Sequence, residues 1–334
     1  MDYSKADRAN VKLRDDELYI HVLDPTSETY DTEVKLATII TPPSFENTTE
    51  ISKNMEVALL LHGHQSHKNA IYQPLMAQAL SDKGYAVVRF DFRGQGDSSP
   101  NSSKQEGRTI EQDVADLDMM INFVKDGSLK QIINKTLLEK IPRTKVETYE
   151  TVNIDMIIAH SRGVLVMFQY ILQKSDLHVR LLVNCCGRYD GNGLLRRYTN
   201  MVPTWRDDGG LEISTLRYGK YSKSWIPTSE ILSAANVKTS NFKAINNAER
   251  VIHVYGTCDT VIPMEDARKY VDTFGSMSSL LVLEGSDHNF YGLKDNLNLH
   301  KLPLRNGLVN YSVLFVSEYL KMLTQFENQI ASGK

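Results

Sequence analysis

The chain is poor in cysteine, with only Cys185, Cys186 and Cys258 in 334 residues. So small and odd a number does not suit a disulfide framework, and adjacent Cys185 and Cys186 would alternate across a strand, badly placed to bond each other. No C-x-x-C pair occurs, so no structural metal site is expected. A basic excess is also missing: Lys+Arg 38 against Asp+Glu 41 leaves a net charge of −3, which argues against a nucleic-acid binder. No apolar run approaches the length that spans a bilayer. The first twenty residues, MDYSKADRANVKLRDDELYI, lack the apolar core of a secretory signal, and the final ASGK carries no lipidation or sorting signal. A soluble cytoplasmic protein with no membrane span is the expectation. No G-x-x-x-x-G-K-[ST] occurs, and the G-x-G of Gly94 and Gly96 is too short for a dinucleotide fingerprint, so no cofactor is expected.

What is present is ordinary globular material, with 41% hydrophobic and 24% charged residues. The length allows about two domains, yet α/β domains often run this long as one. A chain of this size should bury roughly three quarters of its unfolded surface without a staple.

Short apolar runs alternate with segments of helical period. Strands are expected at 57–61 (VALLL), 86–92 (AVVRFDF), 154–159 (IDMIIA), 179–184 (VRLLVN), 251–255 (VIHVY) and 280–283 (LLVL). Helices are expected at 73–83, 109–124, 163–172, 264–274 and 308–323. In 109–124, Ile110, Val114, Leu117, Ile121 and Val124 recur three or four apart as one apolar stripe. This alternation predicts a single α/β domain over 1–334, a mostly parallel sheet with helices on both faces. Residues 18–23 and 34–40 read as an antiparallel edge pair. Two stretches break the rhythm. The Lys- and Glu-rich 128–153 reads as a surface insertion, solvated for the most part. Residues 188–249 read as a small cap, bringing Tyr189, Tyr198, Trp205, Tyr218, Tyr221 and Trp225 over the sheet edge.

The sharpest local signal is Ala159-His160-Ser161-Arg162-Gly163, between an expected strand and an expected helix. A serine on so tight a turn needs small residues two before and two after, because the backbone doubles back. Alone, Ser161 also reads as a helix N-cap. His160 and Arg162 read as solvated charges of the turn. About a hundred residues earlier, His62-Gly63-His64-Gln65 leaves a strand. A backbone N–H of this loop, at His64 or alternatively Gln65, could form half an oxyanion hole, with the N–H of Arg162 as the other half. The imidazoles of His62 and His64 read as structural. In the glycine-punctuated turn after the next strand, Asp91 and Arg93 read as a local pair.

Parallel sheets build sites at the carboxyl ends of their strands. Two later strands end in Gly256-Thr257-Cys258-Asp259 and Glu284-Gly285-Ser286-Asp287-His288, each delivering one candidate to that edge. Ser161, Asp259 and His288 stand in the chain order nucleophile, acid, base, with His288 to take the serine proton and Asp259 to fix the imidazole tautomer. Asp190 and Asp287 are the competing acids. Cys258 reads as a packed residue rather than a reactive thiol.

The segments LLLHGHQSHK, VVRFDFRGQGDSS, IIAHSRG, VYGTCDTVIP and LEGSDHNF together resemble the α/β-hydrolase superfamily over roughly residues 34–325. The likeness is greatest to the cinnamoyl and feruloyl esterases and to the monoacylglycerol-lipase-like and serine-aminopeptidase-like hydrolases. It implies Ser161 as nucleophile, Asp259 as acid, His288 as base, and His64 and Arg162 as oxyanion donors. It also implies a cap at 188–249. Ala159 departs from the commoner glycine of the elbow, and 128–153 is longer than usual. The expected activity is hydrolysis of a small-molecule carboxylic ester through an acyl-enzyme. A lipase, thioesterase, peptidase or acyltransferase could use the same residues. A ligand-binding protein on a hydrolase scaffold is the alternative of a different class.

Overall fold

The computed structural model describes residues 13–23, 34–44, 52–101, 107–140, 148–217, 220–293, 304–305 and 308–332. Its core is an eight-stranded sheet built from β1 (Leu18–Leu23), β2 (Lys35–Thr41), β3 (Asn54–Leu61), β4 (Ala86–Phe90), β5 (Thr151–His160), β6 (Val179–Cys185), β9 (Ala248–Gly256) and β10 (Ser278–Leu283). The order is β1-β2-β4-β3-β5-β6-β9-β10. All pairs from β4 to β10 are parallel, whereas β1 pairs antiparallel with β2 and β2 antiparallel with β4. The expected antiparallel pair at the N-terminal end of the sheet is therefore present, with β1 as the edge.

Strand alternation sorts the core into two layers. Val57, Leu59 and Leu61 of β3 point into one core, with the inner faces of α2 (Ile110–Lys125), α4 (Arg162–Gln173) and α7 (Met264–Phe274). Ala58 and Leu60 point into the other, against α1 (Gln73–Ser81) and α8 (Ser312–Ala331). Both faces of the central strands are thus dry, which is why those strands read as continuous apolar runs.

Two stretches differ from expectation in detail. Residues 308–310 do not start the last helix. They form β13 (Leu308–Asn310), which pairs antiparallel with β11 (Tyr291–Leu293) and with β12 (Leu304–Arg305), and α8 begins only at Ser312. That pairing is a contact with a distant loop and leaves no trace in helical period. The stretch 128–153 opens with α3 (Ser128–Lys140), whose Leu129, Ile133 and Leu137 are buried in the main core, four residues apart on one face. Residues 141–147 of that stretch lie outside the described residues.

Between β6 and β9 the chain forms α5 (Gly191–Met201), the hairpin β7 (Gly210–Arg217) and β8 (Lys220–Pro227), and α6 (Thr228–Ala235). Tyr198, Trp205, Leu211, Ile226 and Ile231 pack there into a separate small core. Trp205 is fully buried in it, with its indole N–H donating to Thr199 Oγ1 at 3.1 Å, while Trp225 faces solvent. Tyr218 lies outside the described residues. Tyr198 and Trp205 thus pack the excursion itself, whereas Tyr189 packs against Tyr270 of α7.

Buried histidines make this fold acid-sensitive. Burial pushes His62 and His253 down to about 3, and burial, with the nearby His288 and His62, pushes His160 well below its ordinary value. These groups stay neutral when folded and gain a proton when unfolded, so their contribution to stability is full above about 6.5 and is lost as pH falls toward 3. Asp116, raised to about 6 chiefly by burial, opposes them in part. Because of these histidines, stability is expected to fall as pH drops below about 6.5. Urea midpoints measured from pH 7.5 to 5 check this, and a flat profile would contradict it.

Candidate active site

The strand order reverses around β3, with β4 on one side and β5 on the other, and the loops after β3 and β5 meet at the carboxyl edge of this switch point. Their contact is backbone against backbone. A Cβ on Gly163 would lie 2.7 Å from the His62 carbonyl oxygen, and one on Gly63 would lie 3.0 Å from Ser161 Cβ. Glycine is required at 163 for α4 to start this close to β3, and at 63 a side chain would press on Ser161. Ala159, beneath the turn, is completely buried and tolerates a methyl group.

Ser161 has φ +52° and ψ −116°, a conformation that costs a non-glycine residue about 1–3 kcal/mol. The strain is held by Ser161 N–H donating to the Cys185 carbonyl at 2.8 Å, the end of neighbouring β6. Ser161 occupies the N-cap position of α4 but makes no capping hydrogen bond. Its Oγ lies 3.0 Å from His288 Nε2 instead. His288 Nδ1 lies 2.7 Å from Asp259 Oδ2. An ionised carboxylate only accepts, so these partners place the proton on Nδ1 and leave Nε2 to accept from the serine.

Asp259 and His288 come together because their loops cross. Gly256, which ends β9, sits against the loop after β10, where a Cβ would be 2.2 Å from the Ser286 carbonyl oxygen. Cys258 N–H donates to that same carbonyl at 2.9 Å, and Gly285 N–H donates to Thr257 Oγ1 at 2.8 Å. Asp259 Oδ1 accepts from the N–H groups of Val261 and Ile262 at 2.7 and 2.8 Å, so both carboxylate oxygens are engaged. Asp287 builds the histidine turn, with Oδ1 accepting from Asn289 and Tyr291 N–H, both at 2.8 Å. Asp190 caps α5 at the surface, accepting from Asn192 N–H and Arg196. The three expected triad residues are brought together; neither competing acid joins them.

His160 and Arg162 are not solvated. The His160 ring is buried 5.2 Å from the His288 ring and packs against Tyr72 and Phe290, with neither nitrogen hydrogen-bonded among the described residues. Arg162 turns its guanidinium inward, to Asp113 Oδ2 at 2.9 Å and to the Arg108 carbonyl. Its backbone N–H opens α4 and is one of the first-turn donors with no acceptor inside the helix. Nor do Asp91 and Arg93 pair with each other. Asp91 takes the buried Lys68 ammonium and the Asp97 N–H, while Arg93 takes Asp116. Tertiary partners from α2 and the loop after β3 outcompete the neighbour in sequence. The His62 imidazole is structural, with Nδ1 2.8 Å from the Gly63 carbonyl and Nε2 accepting from Phe92 N–H at 3.1 Å.

A cavity of about 360 Å³ opens over Ser161 and His288. His64, Gln65 and Arg162 line its floor, and Leu194, Tyr198, Met201, Ile213, Ile226 and Ile231 line it from the excursion. Of the aromatics expected over the site, Tyr198 lines the cavity and Trp205 does not. Sequence reading missed Glu230 of α6, which reaches the cavity and the residues under it. Its Oε2 accepts from Arg108 N–H at 2.9 Å and its Oε1 lies 3.3 Å from His64 Nδ1. Burial alone would raise this carboxyl, but His64, Arg162 and the Arg108 N–H outweigh burial and hold it down at about 2. Asp113, which accepts from both Arg108 and Arg162, was missed as well. Its trace in the sequence is a charge three residues after Ile110 and four before Leu117, on the buried side of α2.

Cys186, Asp259 and His288 place one potential metal-ligand atom each within 4.8 Å of one another. Asp259 and His288 already satisfy each other, and Cys186 Sγ faces the Val254 carbonyl at 3.6 Å. The donor set is spent on protein partners.

Residues 52–207 match the family Hydrolase_4, described as serine aminopeptidase, S33. The chain is 39% identical over 325 residues to the uncharacterized protein YDL057W of Saccharomyces cerevisiae, covering 93% of this chain and 94% of that one. Among solved structures it is similar to Est1E of Butyrivibrio proteoclasticus with ferulic acid bound, at TM-score 0.58 and 14% identity, covering 93% of this chain and 99% of that one. The chain belongs to the α/β-hydrolase superfamily. A second similar structure is mouse alpha/beta hydrolase domain-containing protein 10, at TM-score 0.58 and 14% identity over 92% of this chain and 99% of that one. This α/β-hydrolase has no described helix long and apolar enough to cross a membrane. Its three cysteines are free, Cys185 and Cys186 buried and Cys258 exposed, so the packed role expected of Cys258 does not hold.

Proposed function

We propose that this α/β-hydrolase is a serine esterase that cleaves a small-molecule carboxylic ester through an acyl-enzyme. The observation that carries the reading is the unbroken chain of contacts Ser161 Oγ, His288 Nε2, His288 Nδ1, Asp259 Oδ2, at 3.0 and 2.7 Å, at the base of a mainly apolar cavity. His288 takes the Ser161 proton as Oγ bonds to the ester carbonyl carbon, and Asp259 stabilises the imidazolium. The carbonyl oxygen gains negative charge, which the N–H groups of His64 and Arg162 meet. Collapse breaks the bond to the alcohol, which leaves with the proton from His288. Water then repeats the sequence on the acyl-Ser161 and releases the acid.

A volume of about 360 Å³ lies at the small end of ligand cavities, roughly 300–1,000 Å³, and suits a small ester better than a long glyceride or a folded polypeptide. Residues 188–249 act as the cap that supplies the apolar wall. The free cysteines fit a reducing, cytoplasmic setting. A fluorophosphonate probe is expected to label the folded protein once, on the peptide containing Ser161, and the same protein is expected to turn over 4-nitrophenyl acetate. Absence of labelling, or labelling elsewhere, would overturn the assignment.

A further inference from the structure

The charges around the cavity are unevenly compensated. Near His64, two guanidiniums, Arg108 and Arg162, share Asp113 and lie close to Glu230, so cations and carboxylates match in number. On the loop after β6, two strands along the sheet from β3, stands Arg188. It is 9% exposed, lines the cavity, and among the described residues makes one hydrogen bond through its guanidinium, to the Val261 carbonyl. The carboxylates whose charge it feels are Asp266 and Asp259, and both are committed elsewhere. Asp266 Oδ2 accepts from Tyr189 N–H at 3.0 Å and from Asp190 N–H at 3.4 Å, and Asp259 holds His288 and its own loop. Arg197, an exposed residue of α5, adds a second cation to the cavity lining.

The loop is built to hold Arg188 in place. Tyr270 Oη–H donates to the Arg188 carbonyl at 2.9 Å, and Tyr255 Oη–H donates to the Gly187 carbonyl at 2.5 Å. A Cβ on Gly193 would lie 2.8 Å from an Arg188 terminal nitrogen, so the first turn of α5 leaves the guanidinium its space. A buried guanidinium without an ion-pair partner is costly, and such a group persists where an anion from outside completes it. Guanidinium is also the side chain best matched to a carboxylate, which it can grip with two parallel N–H donors.

We propose that Arg188 anchors a carboxylate carried by the substrate, so that the ester attacked by Ser161 is the monoester of a dicarboxylic acid or an equivalent carboxylate-bearing ester. The proposal rests on the serine-esterase reading. Glu230, beside His64, repels the carboxylate and so favours the orientation that brings it to Arg188. The apolar walls of the cavity take up the methylene linker.

Two esters of equal shape test it: 4-nitrophenyl monoadipate and the uncharged 4-nitrophenyl 6-methylheptanoate. Wild-type enzyme is expected to favour the monoadipate in kcat/KM by about 10- to 100-fold, the range of a charge-assisted hydrogen bond. In Arg188→Gln that preference should collapse, with the change in KM rather than kcat, and Arg188→Lys should restore part of it. Free adipate should inhibit the wild type competitively, and adipamide should not. Equal turnover of both esters by the wild type overturns the proposal, whether or not the variants fold. So does an equal loss on both esters in a folded Arg188→Gln, which would make Arg188 a support for the Val261 loop. Failure of the esterase reading is separate: neither ester would be turned over and Ser161 would not be labelled.

Discussion

Replacing Ser161 by alanine is expected to lower ester turnover by about 10⁴-fold or more while leaving the fold intact. The hydroxyl contributes no capping bond to α4, and its one hydrogen bond among the described residues runs to His288. The forces that hold the strained turn act on the backbone: Ser161 N–H on the Cys185 carbonyl, and the close approach of Gly63 and Gly163. Alanine keeps the Cβ and therefore the same packing against Gly63. Circular dichroism and the urea midpoint should match the wild type to within about 0.5 kcal/mol, the usual range for a change that breaks no packing. Near-wild-type turnover of 4-nitrophenyl acetate by the variant would remove Ser161 as the nucleophile.

Asp259→Asn is expected to cost a comparable factor, on the order of 10⁴ in kcat, for a reason visible in its contacts. Asp259 Oδ1 receives two backbone N–H groups, from Val261 and Ile262. An asparagine satisfies them only by keeping its carbonyl oxygen there, which turns the amide NH₂ toward His288 Nδ1. Nδ1 must then accept, the ring proton moves to Nε2, and Nε2 can no longer take the Ser161 proton. Asp190→Asn keeps an oxygen to cap α5, loses only a surface charge beside Arg196, and should keep most of the activity. Equal losses at 259 and 190 would mean that Asp259 is not the acid.

The elements nearest the site were the most legible ones. Strands buried on both faces must be apolar throughout, and β3, β5, β6 and β9 declare themselves as short runs. The helix Met264–Phe274 coincides with its expected range, since Pro263 and Gly275 punctuate its ends. Ser161, Asp259 and His288 were legible because each follows a strand directly, so that sheet order alone carries them to one edge. Local charges were read less well. Asp91 and Arg93 stand two residues apart and look like a pair, yet each finds a buried partner from another element. His160 and Arg162 look like surface charges on a turn, yet both are enclosed.

The sequence by itself determined the α/β alternation, the tight turn that carries Ser161, and the strand ends that carry Asp259 and His288. Strand period, glycine placement and chain order are local properties, and each residue records its own part of them. Only the tertiary structure decided where the charges go: Asp113 between two arginines, Glu230 beside His64, and Arg188 in the cavity wall with no carboxylate paired to it among the described residues. Burial energy depends on what surrounds a side chain in three dimensions, and those partners come from distant elements, 122 residues apart for Glu230 and the Arg108 N–H and farther still for Glu230 and His64.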